Sequence, residues 1–83
     1  MNLQIEIIRI LREAVGHPLL LSVLRAQVDV RVRPRPLKAV VDDALSNLSA
    51  KGYIIESPNE LDDADPYYQL DEKGEAFAAK QRL

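Results

Sequence analysis

Apolar residues recur at helical spacing near the start of the chain. The first predicted helix runs from about Leu3 to Val15, and Asn2 is placed to cap it because its side chain can accept a hydrogen bond from a first-turn N–H. Gly16 and Pro18 form a typical stop signal. One face of this helix collects the apolar positions Leu3, Ile7, Ile10, Leu11 and Ala14. Ile5 and Ile8 fall outside that face, so another element or a second copy of the chain is needed to bury them.

A second strong helical pattern runs from Pro36 to Lys51. Proline suits the first helical position, because its missing N–H would be unpaired there anyway. Gly52 follows at the position that most often adopts a left-handed conformation. The predicted core face has five members: Leu37, Val41, Ala44, Leu45 and Leu48.

The remaining elements are shorter. A helix is predicted from about Leu20 to Val28, and the apolar–polar alternation of residues 28–33 indicates a short extended stretch. Residues 53–56 and 67–70 read as the strands of a hairpin, and Ser57 to Pro66 form its loop. Asp71 can cap a last helix over 72–82. The pattern predicts one α+β domain over residues 1–83, mainly helical.

Composition narrows the function classes. Apolar residues make up 47% of the 83 residues and charged residues 29%, which is typical of a globular domain. Without cysteine, disulfides, thiolate metal sites and cysteine nucleophiles are excluded, and a reducing cytoplasmic location is expected. No signal peptide or membrane span is expected either. His17 reads as a turn residue, and with only three glycines a phosphate cradle is disfavoured. We therefore expect neither an enzyme nor a cofactor or metal site.

Two motifs carry a family resemblance. The segment Leu45-x-x-Leu48-x-x-Lys51-Gly52-Tyr53-Ile54 resembles the end of the recognition helix in winged-helix transcription regulators. The segment from Tyr67 to Gly74 resembles their Y-x-L-T-x-K-G signature, with Asp71 in place of the usual threonine. PadR-like and MarR-like regulators are the groups it is most similar to. The resemblance implies a winged helix-turn-helix, with a three-helix core, a two-stranded wing and a C-terminal helix.

The same resemblance implies a DNA-binding regulator in which the helix over 36–51 enters the major groove. Four cations within eight residues are candidate phosphate contacts: Arg31, Arg33, Arg35 and Lys38. Ser46 and Asn47 are candidates for contacts with base edges. Double-stranded DNA is therefore the expected partner.

Charge distribution complicates that prediction. Residues 1–53 carry eight Lys and Arg against five Asp and Glu, whereas residues 54–83 carry three against eight. Asp42 and Asp43 lie within the helix that would meet phosphates, and carboxylates there repel a DNA backbone at low salt. The wing loop has no cation and four carboxylates: Glu60, Asp62, Asp63 and Asp65. The alternative function is a protein–protein interaction module that binds no DNA.

A homodimer is also expected, because winged-helix regulators commonly dimerise through their first and last helices. The candidate interface residues are Ile5 and Ile8 in the first helix and Phe77 and Leu83 near the C-terminus. In the alternative interpretation, all four side chains close one core.

Overall fold

Seven elements follow one another within residues 2–83, the part of the chain that this computed structural model describes. In chain order they are α1 (Leu3–Glu13), β1 (Leu19–Leu20), α2 (Leu21–Arg31), α3 (Lys38–Ala50), β2 (Ile54–Ser57), β3 (Tyr67–Leu70) and α4 (Glu72–Lys80). The class is α+β and mainly helical, as predicted. Over this range no helix combines the length and apolar character needed to cross a membrane.

Local caps fix several helix ends as the sequence predicts. The Asn2 side chain accepts hydrogen bonds from the N–H groups of Gln4 and Ile5, and Asp71 accepts one from the N–H of Glu72. Gly52 follows α3 with a φ of +81°, in the left-handed region where a side chain is disfavoured.

The sheet has three antiparallel strands in the order β1-β3-β2 within the described residues. Ile54 pairs with Leu70 in the predicted hairpin, and Leu19 pairs with Tyr68 on the other side of β3. The hairpin is confirmed, but β1 was not predicted. A two-residue strand carries no periodic pattern, and its partner lies far along the chain, so no local signal marks it.

The core surrounds α1, which packs against α2, α3, α4 and β3. Ile7 is fully buried, as its place on the apolar face predicts, but Ile8 is also only 2% exposed. The cover that Ile8 needs therefore comes from its own chain and not from a second copy, because several elements pack around α1 and cover more than one of its faces.

Two of the other candidate interface residues, Phe77 and Leu83, also pack against this core. Ile5 is half-buried. Phe77 packs against the core with its ring centroid 5.3 Å from that of Tyr53. Leu83 packs there too, and its N–H donates to the carbonyl of Ala78 at 2.9 Å. These contacts favour the interpretation that Ile8, Phe77 and Leu83 close one core, whereas Ile5 is half-buried and is not among the side chains that pack against it.

Gly74 allows α4 to approach the strand region closely. A Cβ at this position would lie 2.0 Å from the carbonyl oxygen of Tyr53 and 3.0 Å from a methyl of Leu70. That same Tyr53 carbonyl accepts the N–H of Asp71 at 2.9 Å. Any other residue at position 74 would therefore push α4 away from Tyr53 and Leu70.

Several predicted boundaries are wrong. Helix α1 ends at Glu13 and α4 at Lys80, each two residues earlier than predicted, and two further differences affect α2 and α3. Helix α2 continues through Arg31, so residues 28–31 are helical where an extended stretch was predicted. Helix α3 begins at Lys38 and not at Pro36, because Leu37 keeps an extended ψ of 151°. As a result Leu37 leaves the apolar face of α3 and is 73% exposed.

Candidate nucleic-acid interface

The four predicted phosphate contacts lie where α2 passes into α3. Arg31 is the last residue of α2, Arg33 and Arg35 lie in the connection, and Lys38 is the first residue of α3. We call residues 31–38 the basic segment. The sequence placed these cations close together, and the fold keeps them at one end of the α2–α3 pair.

Arg31 differs from the other three cations. Its guanidinium forms an ion pair with Glu13 of α1, and its side chain is only 29% exposed. It therefore joins the end of α2 to the end of α1, and its charge is compensated within the protein. This partner was not apparent from the sequence, because Glu13 and Arg31 meet only through tertiary packing.

Arg33, Arg35 and Lys38 are exposed, and among residues 2–83 none of them forms a salt bridge. Leu37 gives no side-chain cap to α3, so the partial positive charge of this helix start adds to that of Lys38. Arg35 and Lys38 border a groove of about 320 Å³, whose other lining residues are Arg25, Asp29, Pro36, Leu37 and Val41. The basic segment thus presents uncompensated cations beside an open groove.

Asp42 forms an ion pair within the fold. Its carboxylate accepts a hydrogen bond from the guanidinium of Arg25 at 2.7 Å, in an ion pair that joins α3 to α2. The pair compensates the negative charge of Asp42 at the side of α3. Asp43, the next residue, is exposed and forms no ion pair with any residue of the described range.

The two side chains predicted to read base edges, Ser46 and Asn47, are both exposed on α3. The core side of this helix consists of Val41, Ala44, Leu45 and Leu48. Opposite the core, a row at helical spacing contains Ala39, Asp43, Ser46 and Ala50, all exposed. Three of these four side chains are small, so a partner can come close to the helix backbone.

The acidic loop (residues 58–66) is ordered by its own polar groups. The side chain of Asn59 accepts the N–H of Leu61 at 3.1 Å and donates to the carbonyl of Asp65 at 3.1 Å. Asp62 accepts the N–H of Ala64 at 3.0 Å. These Asx turns explain why the loop is rich in Asn and Asp.

Asp65 has a structural role that the sequence did not reveal. Its carboxylate accepts the N–H of Ser22 at 2.7 Å and the hydroxyl of Ser22 at 2.8 Å. The neighbouring Pro66 carbonyl accepts the N–H of Leu21 at 2.9 Å. Leu20 offers no cap to α2, so Asp65 supplies one from the hairpin and holds the loop against the helix start. Two of the four loop carboxylates are therefore bound within the fold: Asp62 to its own loop, and Asp65 to the start of α2.

A second polar network lies between α3 and the hairpin. The hydroxyl of Tyr68 donates to the Glu56 carboxylate at 3.0 Å, across the β2–β3 pair. Burial, and next the hydrogen bond to Glu56, raises the pKa of Tyr68 to about 12. The adjoining groove of about 290 Å³ also contains Asp42, Ser46 and Ser49. Across residues 2–83, no group of three or more His, Cys, Asp or Glu side chains is arranged to hold a metal ion.

Comparison of the chain with protein-family models, with curated proteins and with solved structures gives no significant match. Function is therefore inferred from the surface chemistry of this chain.

Proposed function

We propose that this protein is a winged-helix transcriptional regulator that binds duplex DNA, with α3 in the major groove and the basic segment on the phosphate backbone. The observation that carries the proposal is the exposed, uncompensated group of Arg33, Arg35 and Lys38 at the start of α3. Binding to DNA requires free cations beside the helix that enters the groove, because contacts with phosphates supply most of the non-specific affinity.

The arrangement of elements is consistent with this proposal. Helices α2 and α3 are joined by a short connection, and a two-stranded hairpin follows α3 directly. The α2–α3 pair is braced by the ion pair of Arg25 with Asp42. The hairpin is held to α2 by Asp65. An α2–α3 pair joined by this ion pair, with an exposed small-residue row on α3, suits a helix that has to enter a groove.

Binding to duplex DNA can be measured by fluorescence anisotropy with a labelled random-sequence duplex at about 50 mM salt. Three phosphate contacts predict that log K falls with log salt with a slope of about −3. The charge-reversing double variant R35E/K38E is expected to lose at least about tenfold in affinity. Its matched control is K80E/R82E, which makes the same charge change at exposed positions in and just after α4.

The control separates a specific interface from general charge attraction. K80E/R82E is expected to lose less than about threefold, because these cations belong to the end of α4 and not to the basic segment. Arg31→Ala should weaken binding less than Arg35→Ala, since Arg31 is already paired with Glu13. Absence of binding to any duplex at low salt, or equal losses in the two double variants, would contradict the proposal.

A second candidate function has its own observation. Leu61 is 97% exposed at the tip of the anchored acidic loop, between Glu60 and Asp62. An apolar side chain held outward among carboxylates fits a protein partner with an apolar site bordered by cations. The double variant D62K/D63K discriminates the two candidates. It should bind DNA more tightly if the domain is a DNA-binding protein, and should lose a captured protein partner if it is an interaction module.

Homodimerisation stays a prediction. Two copies would present two α3 helices to half-sites about 34 Å apart. With Ile8 in the core, Ile5, Phe77 and Leu83 are the remaining candidates, and each is already half-buried in one copy. A light-scattering mass equal to one chain at about 100 μM would contradict the dimer.

A further inference from the structure

Asp43 occupies the central position of the outward row of α3. Ala39 precedes it by one turn and Ser46 follows by three residues, so the three lie on the side of the helix opposite the core. If α3 enters a groove, this row faces the base edges. Asp43 is the only residue of the row with a charged side chain, because its other members are Ala39, Ser46 and Ala50.

The carboxylate of Asp43 is available to a ligand. The residue is exposed, and within residues 2–83 its side chain forms no hydrogen bond or salt bridge. Asp42 next to it is instead paired with Arg25 at 2.7 Å. The two adjacent carboxylates thus differ: one joins two helices, and the other forms no hydrogen bond or ion pair with the part of the chain that the structure describes.

An ionised carboxylate only accepts hydrogen bonds. In the major groove, cytosine presents a donor at N4 and adenine one at N6, whereas guanine presents acceptors at N7 and O6 and thymine an acceptor at O4. A carboxylate close to a base edge therefore favours cytosine or adenine and is repelled by guanine or thymine. Alanine at 39 and 50 and serine at 46 are short enough to let Asp43 reach that edge.

We infer that Asp43 is a specificity-determining residue, which selects cytosine or adenine at one position of the bound DNA strand. The inference rests on the proposed DNA binding. It also accounts for a carboxylate within the helix that meets DNA. That carboxylate lowers affinity for every sequence through repulsion from phosphates, and restores it only where an amino group of a base is opposite.

The test is a selection from a randomised duplex library with the full chain, followed by sequencing and by anisotropy on single-base variants of the selected site. The wild type should prefer cytosine or adenine over guanine at one position by at least about fivefold. Asp43→Asn should change that preference to adenine alone, since an amide both donates and accepts. Asp43→Ala should remove the preference at that position, leave the others unchanged and bind random duplex more tightly at low salt.

Asp63→Ala is the matched control, because it removes the same charge from an exposed position in the acidic loop. It should retain the wild-type base preference. Thermal unfolding monitored by circular dichroism establishes that the variants are folded. We expect both to fold, because Asp43 and Asp63 are exposed. Wild type and Asp43→Ala with the same preference at every position would overturn the inference while leaving DNA binding intact. Absence of binding to any duplex would overturn both.

Discussion

Replacement of Gly74 by alanine gives two opposite expectations, depending on whether the tertiary contact or the helix propensity dominates. Gly74 lies inside α4, where alanine is favoured over glycine by about 1 kcal/mol on propensity alone. The tertiary structure opposes this gain, because the added Cβ would be 2.0 Å from the Tyr53 carbonyl oxygen. The close approach should dominate.

The magnitude follows from the distances. An ordinary C···O contact is about 3.3 Å or longer, so α4 has to move by more than about 1 Å. Overpacking of this kind costs about 1–3 kcal/mol. The shift also weakens the hydrogen bond from the Asp71 N–H to the same carbonyl, which contributes about 1 kcal/mol. After subtraction of the propensity gain, the free energy of unfolding should fall by about 2 kcal/mol, which corresponds to a Tm lower by about 10 °C for a domain of this size.

Urea and thermal unfolding followed by circular dichroism measure this change. Ala76→Gly is the matched control, because Ala76 is exposed in the same helix and should lose only about 1 kcal/mol. A Gly74→Ala variant with a Tm equal to or above that of the wild type would refute the close packing of α4 on Tyr53.

Two other changes test the networks around the candidate interface. Asp65→Ala should destabilise the protein by about 1–2 kcal/mol and accelerate amide hydrogen exchange at Ser22, because it removes the cap of α2. The control Asp63→Ala should change the free energy of unfolding by less than about 0.5 kcal/mol. Equal effects of the two substitutions would contradict the capping role of Asp65. Because the fold raises the pKa of Tyr68 from 10.0 to about 12, the neutral phenol stabilises the protein fully below pH 10, and this contribution is lost as the pH rises toward 12. Urea unfolding should show that loss in the wild type and a smaller one in Tyr68→Phe, and parallel pH dependence in the two would be inconsistent with it.

Elements defined by neighbours in sequence could be predicted. The caps at Asn2 and Asp71 and the left-handed Gly52 depend on contacts within a few residues, which the order of residue types reveals. The close approach at Gly74 could also be predicted, because glycine inside a helix is unfavourable unless packing requires it.

Elements that depend on residues distant in the sequence could not be predicted. Strand β1 exists because Leu19 and Leu20 meet β3, and two residues carry no recognisable period. The alternation after Val28 suggested an extended stretch, yet α2 extends to Arg31, whose ion pair with Glu13 forms only in the folded protein. Tertiary contacts outweighed the local pattern here.

The candidate interface shows the same division. The exposure of Ser46 and Asn47 follows from the amphipathic pattern of α3. The pairing of Asp42 with Arg25, the capping role of Asp65 and the burial of Ile8 all depend on how elements pack. These contacts decide which charged side chains are free to contact a partner. A count of charges along the sequence therefore overestimates the free charge of both the basic segment and the acidic loop.

The central claim is that the basic segment and the outward face of α3 form the DNA-binding surface. The most direct measurement is a titration of isotope-labelled protein with a short duplex, followed by amide chemical-shift changes in two-dimensional NMR spectra. We predict that the largest changes cluster at residues 33–47 and decrease as salt is added. Changes confined to α4 or to the tip of the acidic loop, or no changes at low salt, would contradict the claim.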